Sequence, residues 1–162
     1  MTTPTATEPS VLHHTFVIER TFPQPPATVF HALADPDQKR RWYGEAPGRG
    51  LEEFSMDFRV GGFERNRNRM SEATPFPGVL LTNEGIYLDI VPNRRIVTAS
   101  GMALGGHRIS ATLVTMELEP HEGGTKLIFT HQGVFFEGAD GPEMRQAGWN
   151  HILDCLAGHL DG

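Results

Sequence analysis

His131 is the residue of this 162-residue chain with the clearest capacity for proton chemistry. It follows Leu127 and Phe129 at alternate positions, so on a strand the three side chains share one face and the imidazole points toward whatever that face covers. An imidazole titrates near neutrality and can take or give a proton, which makes His131 the weak catalytic candidate. No carboxylate stands at an evident supporting position, and a hydrogen-bonded structural histidine fits the same spacing. A second concentration of polar function runs from Phe63 to Met70. There, alternation places Phe63, Arg65, Arg67 and Arg69 on one face and Glu64, Asn66 and Asn68 on the other. Arg65 or Arg67, turned inward, would hold a carboxylate or phenolate through paired hydrogen bonds. A strand near a sheet edge, with its charges in water to discourage edge pairing, has the same pattern.

His151, Cys155 and His159 recur at intervals of four near the C-terminus and would share one helix face. These are zinc-ligand types, but a fourth ligand is not evident and the apolar stripe points elsewhere, so no metal is expected. No Gly-x-Ser-x-Gly or Cys-His nucleophile signature occurs, and the Gly-Gly pairs sit at hairpin turns rather than before a helix. No cofactor is expected. Whether the chain is an enzyme stays open, with a non-enzymatic ligand-binding domain preferred.

The elements that must position these groups follow from the hydrophobic period. His14 to Phe22 alternates as a strand, and Pro23, Pro25 and Pro26 end it and open a short helix with Val29, Phe30 and Leu33 in its stripe. Asp35-Pro36 starts a second short helix that Asp35 can cap, with Gln38 placed to complete a capping box. Phe54, Met56, Phe58 and Val60 alternate with polar residues up to the expected two-residue turn Gly61-Gly62. Further strands are predicted over 63–70, 79–91, 95–104, 108–119 and 125–135, with Ile86, Leu88 and Ile90 on one face of the second of these. Short connections make neighbouring strands antiparallel. Pro142 to Leu160 is the best helix, with Trp149, Ile152, Leu153, Leu156 and Leu160 in one stripe. It is the only element large enough to cover the sheet, and a curled sheet closed by one helix leaves a hollow. The fold class is therefore α+β, a curved antiparallel sheet of about seven strands around a long C-terminal helix, with two short helices after strand 1. Phe135-Phe136-Glu137-Gly138, between the last strand and that helix, is either a lid over the hollow or an apolar plug, the plug being preferred.

Composition narrows the partners. A formal charge of −6 lacks the basic stripe that nucleic acid requires. Cys155 is the only cysteine, so no intrachain disulfide is expected. No apolar run approaches the length of a membrane span, and the Thr/Pro-rich start has no apolar signal region, so a cytoplasmic protein is expected. Residues 1–12 are expected to be a disordered tail and 13–162 one domain. Nothing in the sequence decides between monomer and homodimer.

Several motifs together carry a family resemblance. They are Val29-Phe30 with Asp35-Pro36 and Trp42, Asp57-Phe58-Arg59-Val60-Gly61-Gly62, and Gly85 with Leu88-Asp89-Ile90-Val91-Pro92. Glu117-Leu118-Glu119-Pro120, Gly123-Gly124-Thr125-Lys126-Leu127, Thr130-His131-Gln132-Gly133 and Gly148-Trp149 continue them in order. The chain resembles the START/SRPBCC superfamily, in the branch similar to the C-terminal domain of the heat-shock protein 90 ATPase activator. The resemblance implies the helix-grip fold and a deep pocket, but no single activity. The expected function is binding of a small hydrophobic or amphipathic molecule between sheet and helix. Alternatives are a polyketide cyclase-like enzyme using the same pocket, and a co-chaperone of the stress response that stimulates a chaperone ATPase. Candidate pocket residues are Trp42, Phe58, Phe63, Leu88, Met116, Phe129, Trp149 and Leu153 for the walls, with Arg65, Arg67 and His131 as polar contacts.

Overall fold

The computed structural model describes residues 8–162. β1, Leu12–Phe22, starts two residues before the expected strand because it pairs along its whole length with the last strand: Leu12 stands opposite Phe135 and Phe22 opposite Thr125. The expected tail therefore lies largely outside the described residues. Of its remainder, Ser10 donates its backbone N–H to Glu137 Oε2 at 3.0 Å.

Helix α1, Pro26–Ala34, and the short α2, Pro36–Lys39, follow. Asp35 caps α2 by accepting from the Gln38 N–H at 3.1 Å. The Gln38 side chain does not complete the box; its Oε1 meets His159 Nε2 at 2.9 Å. α2 runs on into one wider turn, Arg40–Gly44, closed by the Glu45 N–H donating to the Arg40 carbonyl at 2.7 Å. β2 is Leu51–Met56, β3 Phe63–Arg69, β4 Leu80–Val91, β5 Arg95–Leu104, β6 His107–His121 and β7 Gly124–Phe135, and α3 spans Pro142–Asp161. All seven strands form one antiparallel curved sheet in the order β1-β7-β6-β5-β4-β3-β2. β1 and β2 are its two edges, so α1, α2 and the wide turn carry the chain from one edge to the other.

The concave face grips α3. Leu153 and Leu156 are wholly buried among Phe16, Ile18, Leu127 and Phe129. At the sheet edge Arg20 ties the helix down, through Nη1 to Asp154 Oδ1 at 2.6 Å and Nη2 to the Asn150 carbonyl at 3.0 Å. Trp42 is buried as well, its indole N–H donating to the Ala32 carbonyl at 2.8 Å.

Three local expectations need correction. The alternation predicted through Val60 stops at Met56, and residues 57–62 form a longer connection in place of a two-residue turn. Within it the Gly61 N–H donates to the Tyr87 carbonyl at 2.8 Å, and a Cβ on Gly62 would run into the Asp57 carbonyl. In β4 the register shifts between Tyr87 and Asp89, a bulge at Leu88 that reverses the alternation. Ile86 and Leu88 consequently face solvent while Tyr87 is buried and Ile90 packs on the core. In β3 the arginine face is the outer one: Arg65 reaches Glu84 at 3.2 Å and Glu53 at 3.9 Å, and Arg67 reaches Glu53 at 3.6 Å.

Inside, β3 supplies a buried charge cluster. Lys39 of α2 pairs with Glu64, which also accepts from the Tyr87 hydroxyl at 2.9 Å. Burial and the Glu64 carboxylate push the Tyr87 hydroxyl pKa up, so it stays a donor. The cluster fastens the helical segment to the sheet. Glu64→Leu strands the Lys39 ammonium and should cost about 3 kcal/mol in urea unfolding. The double variant Lys39→Met/Glu64→Leu should regain most of that loss; an additive double variant would show that the two groups do not act as a pair.

Candidate functional site

The size of inward side chains across the central strands makes the hollow. Register sets Gly85 opposite Ser100, Ser100 opposite Thr112, and Thr112 opposite Gly133. This row of four small residues crosses β4, β5, β6 and β7. On one side runs the row Tyr87, Thr98, Val114 and His131, and on the other Asn66, Asn83, Met102, Ser110 and Phe135. Over the middle of this row, at Ser100 and Thr112, a cavity of about 450 Å³ lies under α3, while the space above Gly133 is taken by the His131 and Phe135 rings. Ser100 and Thr112 satisfy each other on its floor through a hydroxyl pair at 2.8 Å. Ile109, Val114, Leu104, Ile152 and Trp149 give it apolar walls.

The mouth lies between the first half of α3 and the loop after β3. Met144 and Gly148 stand on the helix side, and Ala73, Thr74, Pro75 and Phe76 on the other. Gly148 occupies a helix interior, where glycine is the least favoured residue after proline. A Cβ there would meet no atom within 4 Å, so the helix needs no glycine for packing. Glycine keeps that wall of the opening bare. Phe135 is buried at the end of β7 and packs beside His131, while Phe136 is partly buried away from the cavity.

Polar groups converge from two directions. On the β3 side the Asn66 amide donates to the Tyr43 hydroxyl at 3.2 Å and accepts from Asn68 at 3.0 Å, while Asn83 approaches Tyr43 at 3.5 Å. Arg49 lies 4.7 Å above the Tyr43 ring, its Nε buried without a partner among the described residues. On the β7 side Arg145 is buried and paired with a carboxylate. It meets both Asp140 oxygens at 2.8 Å and Ser110 Oγ at 2.9 Å.

His131 faces the cavity and is almost wholly buried, stacked on Phe16 with ring centroids 4.5 Å apart. Among the described residues its Nδ1 has no hydrogen-bond partner. Gly133 leaves room for the ring: a Cβ there would lie 3.0 Å from His131 Cε1. Burial first, and the Arg145 charge second, lower the His131 pKa to about 4. The imidazole is therefore neutral at pH 7 and can exchange hydrogen bonds, but as a base it is weak.

Of the predicted pocket residues, His131 and Trp149 line the cavity. Phe129, Leu153, Met116 and Trp42 are buried in the core beneath or beside it. Phe58 packs edge-on against Tyr87 and Phe30, with centroids at 5.0 and 5.8 Å. Phe63 and Leu88 are exposed on the convex face, as are Arg65 and Arg67, so these four do not meet the cavity. The inward polar set of β3 is the asparagine face. Arg49 and Arg145 were missed: the first sits in a Gly/Pro-rich loop and the second on the polar side of a helix, where an arginine has no distinguishing signal. His151 and Cys155 lie 4.0 Å apart and His159 is occupied by Gln38.

The His131 pKa has a consequence for stability. Between about pH 6.5 and 4 the unfolded chain binds a proton that the folded chain refuses, so folding weakens as pH drops through that window. Replacing His131→Leu should flatten that part of the urea-midpoint curve. A variant curve parallel to the wild-type one would show that His131 titrates normally.

Comparisons with known proteins agree with this architecture. A family model described as Activator of Hsp90 ATPase homolog 1-like protein matches residues 23–161. A solved protein from Rhizobium leguminosarum is 40% identical, with a TM-score of 0.88 over 96% of this chain and 99% of its own. One from Rhizobium loti is 44% identical, with a TM-score of 0.81 over 93% and 99%. CalU16 from Micromonospora echinospora, 20% identical with a TM-score of 0.60 over 96% and 86%, shares the fold. None of the curated proteins compared is similar to this sequence. With its helix-grip sheet, its C-terminal helix and a family match over nearly the whole chain, this protein belongs to the Activator of Hsp90 ATPase homolog 1-like family, of the SRPBCC type.

Proposed function

We propose that the protein binds a small amphipathic molecule in the cavity between the sheet and α3. The observation that carries this reading is the hollow itself, floored by Ser100 and Thr112 and left uncovered at Gly148. Cores otherwise pack to crystal-like density, and the lining atoms of a void forgo dispersion contacts. A glycine inside α3 adds about 1 kcal/mol of lost helix propensity relative to alanine. Both costs are offset when a ligand fills the space. Apolar walls with a few convergent polar groups are the usual chemistry of such sites.

A second reading, an enzyme of the cyclase kind, draws on His131 facing the cavity with a free Nδ1. Its catalysis would rest on orientation and exclusion of water, with the neutral imidazole as a hydrogen-bond partner. The reading requires turnover that His131→Ala abolishes. The family description also names activation of a chaperone ATPase. Titrating the purified chaperone with this protein tests that, and an unchanged ATPase rate ends it.

For the binding reading, native mass spectrometry and thermal-shift screening against apolar and aromatic metabolites should find a ligand that raises the melting temperature. At a hundredfold excess over Kd the stabilisation is about 2.7 kcal/mol. Gly148→Phe should leave folding stability unchanged or raised by about 0.5 kcal/mol while abolishing that shift. Retention of the full ligand shift in Gly148→Phe would place binding outside the cavity.

A further inference from the structure

We infer that the molecule held in the cavity is an acid: a small amphiphile whose single anionic head lies against Arg49 and whose apolar body runs over the Ser100–Thr112 floor. This inference rests on the cavity-binding reading and goes beyond it by assigning the ligand's charge and direction.

The lining carries two guanidinium groups and one carboxylate. Asp140 is spent on Arg145, which it holds bidentately at 2.8 Å on both oxygens. His131 is neutral at pH 7, so it adds no charge. The cavity is therefore left with one positive charge in a chain whose formal charge is −6. That charge belongs to Arg49. Its only side-chain hydrogen bond among the described residues is a long one, 3.4 Å from Nη2 to the neutral Asn66 amide oxygen. Its Nε is buried and unpartnered. A guanidinium with donors free and no counter-ion is incomplete, and a carboxylate satisfies it with two parallel hydrogen bonds.

The surroundings hold Arg49 ready. Gly48 and Gly50, on either side, adopt positive φ of 83° and 58°. Gly50 is pressed against β3, where its carbonyl accepts from the Arg69 N–H at 2.8 Å. The Tyr43 ring supports the guanidinium from below, a cation–π contact that leaves its donor edge available. Asn66 and Asn83 extend the same wall as neutral hydrogen-bonding groups. The remaining wall toward His131 is mostly apolar, which fits one charged end and not two.

A matched pair of fluorescent probes tests the assignment: 8-anilinonaphthalene-1-sulfonate, in which the sulfonate stands in for a carboxylate, and neutral N-phenyl-1-naphthylamine, which has the same aromatic body. The wild-type protein should bind the sulfonate roughly tenfold or more tightly over the neutral probe, and added salt should narrow the gap. Arg49→Met should remove that preference and leave the neutral probe's affinity unchanged, whereas Arg49→Lys should restore part of it. Gly148→Phe should abolish binding of both. Equal affinity of the two probes, or an Arg49→Met loss shared by both, overturns the acid assignment and leaves the cavity reading standing. Absence of binding by either probe, or sulfonate binding that survives Gly148→Phe, overturns the assignment and the cavity reading together.

Discussion

Leu153 and Leu156 have no exposed surface because the concave side of the sheet closes on them, and the remaining architecture depends on that closure. Each is worth about 1.5–3 kcal/mol of removed apolar area, and the contact is one that no smaller element of the chain could make. It obliges the sheet to curl, and the curl in turn separates the two edge strands. The chain must then cross from β1 to β2 over α1, α2 and the wide turn Arg40–Gly44. That crossing delivers Tyr43 and Arg49 to one wall of the hollow, with Lys39 fastened to Glu64 to hold the segment in place.

A grip of this kind is filled by the helix only where the sheet offers large side chains. Rows containing Tyr87 and His131 or Asn66 and Phe135 reach up toward α3; the row between them does not. The hollow is thus a consequence of register. Its sheet side is lined by residues that sit on five strands and that are far apart along the chain, while Gly133 makes room for the His131 and Phe135 rings beside it. The two arginines of the cavity differ in a similar way. Arg145 and Asp140 form a closed pair that shapes the β7 end, while Arg49 offers its donors to the interior. A neutral imidazole beside a closed ion pair and an open guanidinium is chemistry suited to holding a molecule in a set direction.

Much of the fold was legible from hydrophobic period and turn chemistry. Seven strands, the Asp35 cap and the long helix with Pro142 in its first turn all follow from local rules, because strand alternation and helix caps are written within a few neighbouring residues. The family resemblance was legible for the same reason, its motifs being turn and cap positions read in order. The faces of the strands were harder. A bulge at Leu88 cannot be seen in the one-dimensional pattern Ile86, Leu88, Ile90, yet it turns two of those three residues into solvent. For Phe63 to Met70 both faces are polar, so burial had no apolar set by which to choose between the arginines and the asparagines.

Sequence alone therefore determined the elements, their antiparallel order and the helix that covers the sheet, since each is specified by side chains within one or two turns of chain. Tertiary structure decided which residues meet in the hollow. Ser100 and Thr112 are unremarked small residues until strand register pairs them on the cavity floor, and Arg49 is an ordinary loop arginine until the crossing segment lays it on Tyr43. Cross-strand neighbours are chosen by hydrogen-bond register over long sequence separations, and no local period records them.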